Sequence, residues 1–142
     1  MSTAVVFAVL GVTVYAAHQL ADHVLGQTDA QAAGKAGPGR SGWAALGRHV
    51  AQYHLVVVAM VAVTVLALHV PLSATGAAAG LAVSVGTHLL WDRRRPVRWL
   101  LIRCGGRGFA DLADRGLNGM YLADQSLHAA SLWAAALAAA LL

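Results

Sequence analysis

Eight side chains able to bind a metal or move a proton recur in close pairs: His18 with Asp22, His49 with His54, His88 with Asp92, and Asp124 with His128. Three of the pairs are four residues apart, a spacing that puts both members on one face of a helix. His49 and His54 are five apart, roughly 140° around an ideal helix, and align less well. Five imidazoles and three carboxylates suit zinc, iron or manganese better than calcium or magnesium. Eight candidates exceed the needs of one tetrahedral zinc. Either two divalent ions are held by inward-facing carboxylates and His of four helices, or one ion is held and some of the eight support its ligands. A metal near a water interface can activate a bound water as nucleophile. In that chemistry His49 serves as ligand or general base, and Asp92 joins it as a candidate catalytic residue.

The elements that must position these residues are apolar. The chain has 142 residues, 58% hydrophobic and 11% charged, against about 25% charged in an ordinary soluble domain. Four apolar segments predict helices over about residues 4–26, 43–70, 73–92 and 119–142. Each is near the roughly 20 residues needed to cross a bilayer. The expected fold is an all-α polytopic membrane protein, a four-transmembrane-helix bundle forming one domain over 1–142. The connecting loops span about 27–42 and 93–118, and within the second Val97–Arg103 and Phe109–Arg115 are candidate short interfacial helices. The first segment lacks the basic residues that open a signal peptide and is read as a retained span. Trp43, Trp91, Trp99, Tyr53 and Tyr121 fall near segment ends, where aromatic belts sit.

Charge then orients the bundle. No Asp, Glu, Lys or Arg precedes Asp22, follows Asp124, or lies between Arg48 and Asp92. Four antiparallel spans would put every charge on one side, and its ten Lys and Arg residues make that side cytoplasmic by the positive-inside rule. Both termini would be outside, in the inner membrane of a bacterium. All eight paired residues then arrive near the cytoplasmic end. A His and an Asp one turn apart can simply neutralise each other, since lone charges in lipid are costly, but four pairs at one depth point to a functional polar site. Tyr53 and Gln125 are candidate supporting partners, while His23 and His69 read as interfacial or solvated.

The rest of the sequence narrows the reading. The net charge of +4 belongs to loops, so no nucleic acid is expected. Cys104 is the only cysteine, which excludes an internal disulfide framework. The glycines do not have phosphate-loop spacing, and no Ser-His-Asp elbow exists. His18-x3-Asp22 and His88-x3-Asp92 suggest two tandem two-helix repeats related by an axis along the membrane normal. Gly76, Gly80, Ala82 and Gly86 permit close helix packing, within one bundle or between two copies as a homo-oligomer.

The order of motifs resembles an uncharacterised family of small bacterial and phage integral membrane proteins. Its elements stand here as His18-x3-Asp22-x4-Gln27, Lys35, His49 with His54, His88-x3-Asp92, and Asp124-Gln125-x2-His128. His23 departs from the aromatic residue expected there, and the second-segment His spacing is five rather than four. In motif style the chain is similar to inner-membrane proteins labelled metal-dependent hydrolases, an analogy of pattern only. These observations lead to the expectation of an intramembrane metal-dependent hydrolase acting on a membrane lipid or lipid-linked substrate at the cytoplasmic leaflet. Its metal, one or two divalent ions with zinc before iron or manganese, would lie among the eight residues. The alternatives are a non-enzymatic metal or proton conduit, a partner-binding module of a mobile element, and a b-type haem protein ligated by His18, His54, His88 and His128. The three carboxylates argue against haem, which needs axial ligands in an apolar pocket.

Overall fold

The computed structural model describes residues 1–142. Helix α1 is Thr3–Leu20, extended by a π-helical turn over Ala21–Leu25. Then come α2 (Asp29–Gly34), α3 (Gly39–Leu68), α4 (Ala74–Trp91), α5 (Arg95–Arg103), α6 (Arg107–Ala110) and α7 (Gly119–Leu141). Two short strands, β1 (Ala113–Asp114) and β2 (Leu117–Asn118), pair antiparallel just before α7. Apart from that hairpin the protein is all-α.

Local chemistry sets the helix ends. The side chains of Ser2, Ser73 and Asn118 accept from the backbone N–H groups of Val5, Gly76 and Tyr121, satisfying first-turn donors that have no helical partner. At the other end of α3, His69 turns left-handed at φ 50°, and Pro71 two residues on cannot continue a helix. The loop helix expected over Val97–Arg103 is present as α5. The one expected over Phe109–Arg115 is not: α6 stops at Ala110 and the hairpin follows. Arg115 and Gly116 both have positive φ, 46° and 85°, the conformation a two-residue hairpin turn requires.

Two helices, Thr3–Leu25 with its π turn and Gly39–Leu68, are long and apolar enough to cross a membrane. Only 33% and 22% of their apolar windows are buried inside the protein, so Val12, Leu55, Val63 and Leu66 face outward. α7 packs against α4 and α1, and α1 also packs against α3. The core at one end is apolar, centred on Val6, Leu10, Val70 and Ala136, while Ala17, Ala21, Tyr53 and Val57 form the layer above the polar end.

The tightest approach is α4 on α7. Gly80 faces the Ala135 carbonyl, and a Cβ there would lie 2.9 Å from Ala139 Cβ. Gly80→Val is therefore expected to push α4 off α7 and lower the thermal midpoint in detergent, an overpacking effect of about 1–3 kcal/mol. Gly86→Val, on the same helix with open space around it, should leave the midpoint where it is.

Candidate metal centre

The centre is built where the four long helices bring their polar ends together. A π turn closes one residue later than an α turn, and such turns often mark functional sites. Here it carries Asp22 and ends at Gly26, whose position leaves no room for a side chain against the Ala21 carbonyl. The Gly26 carbonyl is thereby aimed at α3, where it accepts from His49 Nδ1–H at 3.0 Å. With that proton committed, His49 presents a lone pair at Nε2.

Around His49 Nε2 lie the other groups. Asp92 Oδ2 is 3.1 Å away, Asp22 Oδ1 3.3 Å and His88 Nε2 3.0 Å. His88 Nε2 is in turn 3.3 Å from Asp92 Oδ2. His128 donates from Nδ1 to the Asp124 carbonyl at 2.9 Å, so its Nε2 is also a free lone pair, 3.9 Å from Asp92 Oδ1. All five residues are at most 4% exposed. Ligand-type atoms of Asp22, His49 and His88 lie within 4.8 Å of one another, and so do those of His88, Asp92 and His128. His128 Nε2 is buried without any hydrogen-bond partner, while Asp22 Oδ1 and Asp92 Oδ2 have only the shared His49 and His88 Nε2 atoms beside them, and a buried polar atom without a partner calls for an explanation. These groups can hold a metal ion.

The structure places the remaining three candidates beside this cluster. His18 has both ring nitrogens engaged: Tyr53 hydroxyl donates to Nδ1 at 3.1 Å, and Nε2–H donates to Gln125 Oε1 at 3.0 Å. Gln125 then donates to Asp22 Oδ2 at 3.0 Å, which fixes the carboxylate with Oδ1 turned to the cluster. His18 thus acts on the centre through Gln125 and Asp22. His54 donates to the Val50 carbonyl at 2.8 Å and accepts from the Ser84 hydroxyl at 3.0 Å, away from the cluster. Asp124 is half-buried, with Oδ2 3.6 Å from His128 Nδ1 and with Oδ1 unpartnered.

Lys35 is the residue that reasoning from the pairs did not place here. It is 7% exposed, and its ammonium sits 2.9 Å from Asp92 Oδ1, 3.2 Å from His49 Nε2 and 3.9 Å from Asp22 Oδ1. Thr28 and Gln31 form a reciprocal capping box that starts α2, and Gln31 also donates to Gln52 of α3. Beyond α2, Arg93 donates to the carbonyls of Lys35 (3.0 Å) and Gly37 (2.9 Å) while lying over the Trp43 ring. A loop was expected over 27–42, where α2 and the first turn of α3 stand, and the Arg93 tether that folds Lys35 inward is a tertiary contact without a local signature.

A polar cavity of about 100 Å³ reaches Asp22, Lys35, Asp92 and Asp124. It shares Arg94, Tyr121 and Asp124 with a larger cavity of about 550 Å³ beneath the α6 and hairpin segment. The cluster therefore has a polar approach from the loop side. No family model, curated protein or solved structure matches the chain.

Proposed function

We propose that this chain is a four-span protein of the bacterial inner membrane, with both termini outside, that binds one divalent cation at its cytoplasmic end. We further propose that it uses that ion to hydrolyse a lipid or lipid-linked substrate. The observation that carries this reading is the convergence of Asp22, His49, His88, Asp92 and His128, drawn from all four long helices, with His128 Nε2 left buried and unpartnered. Their mixed nitrogen and oxygen set suits zinc, then iron or manganese. Two candidate spans with outward apolar faces support the membrane assignment, and α4, with 18 residues, is about 27 Å long, near the bilayer's apolar thickness. The ordered motifs support grouping the chain with the small membrane family it resembles.

A bound divalent cation would lower the pKa of a water and polarise an ester oxygen. The protein's own residues do the rest. Gly26 and Asp124 carbonyls orient His49 and His128 through their Nδ1–H groups, a device that sets which ring nitrogen faces a metal. Asp124 lines both cavities with a free carboxylate oxygen and is placed to take a proton from water. The haem alternative finds no slot, since the His18 and His128 rings stack at 5.4 Å and His88 and His128 meet at 4.6 Å.

Lys35 favours a second reading, a metal-free proton or packing network, because its ammonium already faces both carboxylates. Elemental mass spectrometry on detergent-purified protein separates the two. Close to one zinc, iron or manganese per chain is expected in the wild type, falling below about a tenth in His88→Ala/Asp92→Ala. No metal in protein prepared without chelators would leave the network reading in its place.

A further inference from the structure

We infer that the substrate of this centre carries a phosphoryl group, gripped by Arg94 at the mouth of the approach; the inference rests on the metal-dependent hydrolase reading. The arginines of this region divide by what they touch. Arg93 is tied to the carbonyls of Lys35 and Gly37. Arg98 donates to the Ala110 carbonyl and pairs with Asp111 at 2.7 Å. Arg94 lines both cavities, and its backbone bonds to Trp91 and Arg98 while its guanidinium makes no hydrogen bond or ion pair.

Its backbone is unusual as well. Arg94 has φ 59° and ψ −34°, a region that costs a residue with a Cβ about 1–3 kcal/mol and tends to persist at functional sites. That conformation, between buried Asp92 and the first turn of α5, directs its side chain to the junction of the cavities. An arginine fork matches phosphate oxygens two at a time, with charge to spare. Asp111, which with Asp124 supplies the carboxylates of the large cavity, is paired with Arg98, which leaves the Arg94 guanidinium for an incoming anion. The cavity of about 550 Å³ is in the size range of small-molecule sites, and the smaller cavity that adjoins it at Arg94 leads on to Asp22 and Asp92 of the cluster.

The reaction follows from this placement. A water oxygen forms a new bond to phosphorus and the P–O bond to the alcohol breaks. A proton from the water passes to Asp124 and on to the leaving oxygen, giving inorganic phosphate and a free alcohol.

The test is calorimetric binding to full-length protein in detergent, with dioctanoyl phosphatidic acid, dioctanoylglycerol and inorganic phosphate as probes. Wild type should bind phosphatidic acid at least about tenfold tighter than dioctanoylglycerol. Arg94→Ala should lose at least about tenfold of that affinity while keeping its metal content, and Arg94→Lys should recover only part of it, lacking the fork. Phosphatidic acid binding far tighter than phosphate identifies a lipid headgroup; equal binding identifies a soluble phosphate ester, the same chemistry from another source. Unchanged binding in Arg94→Ala, or no discrimination by wild type, overturns the inference. Metal content measured on the same samples keeps the two ideas apart. A metal-free wild type that still shows Arg94-dependent binding would sink the hydrolase reading alone, and a metal-loaded protein indifferent to Arg94 would sink the phosphoryl inference alone.

Discussion

Lys35→Met is expected to yield a protein that melts early in chelator and is rescued by zinc. Removing the ammonium leaves Asp22 and Asp92 facing each other's surroundings with no fixed cation, and both are buried. Breaking a buried pair by deleting one partner costs about 3–5 kcal/mol, because the other charge stays behind. A divalent ion restores the missing charge and no longer competes with an ammonium 3.2 Å from His49 Nε2. Added zinc should therefore raise the thermal midpoint more in Lys35→Met than in the wild type. Differential scanning fluorimetry with and without chelator reads this directly. An equal loss in both conditions would mean that Lys35 serves α2 docking and has no bearing on a cation.

The second large effect is a graded response across the histidines. His49→Ala, His88→Ala and His128→Ala each remove a ligand atom from the cluster. Each should weaken zinc binding by more than the roughly tenfold to hundredfold that loss of a supporting contact costs. His18→Ala removes no ligand atom but takes away the hydrogen bond that steadies Gln125 and, through it, Asp22, along with the Tyr53 bond and the stack on His128, so about tenfold is expected. His54 spends its ring nitrogens on Val50 and Ser84 and meets His88 only ring edge to ring face, so His54→Ala should change affinity least of the five. Competition with a chromophoric chelator measures the whole series. A flat series, or His54 as costly as His88, would rule out a cation centre at this position.

That ranking separates what the chain revealed in one dimension from what it withheld. Residue spacing and charge position depend on helix period and on the cost of charge in lipid, so the meeting of His and Asp from four segments at one end was readable. The five-residue gap between His49 and His54 already set them on different faces, and in the structure one joins the cluster while the other turns to Ser84. His18 and His88 have the same four-residue partner, yet only His88 enters the cluster. His18 is turned instead to Tyr53 and Gln125, 35 and 107 residues away, and such tertiary contacts leave no mark in local spacing. Lys35 was hidden in the same way: it is brought in by Arg93, 58 residues away, and a loop's return is a tertiary event that local pattern does not encode. The Arg115–Gly116 hairpin replaced an expected helix because two left-handed residues in succession end one.

One quiet feature, the His69–Ser73 turn between α3 and α4, bears on how the protein is made. It contains no Asp, Glu, Lys or Arg, and the polar atoms of Ser73 are spent capping α4. Carrying an ionised residue through the middle of a bilayer costs about 2.5–3.5 kcal/mol on insertion scales. In the proposed topology none of the sixteen formally charged side chains makes that passage. The α3–α4 unit can enter as an apolar hairpin with its charges left waiting at the surface of synthesis, and the ionic centre is assembled only afterwards, as the helices gather.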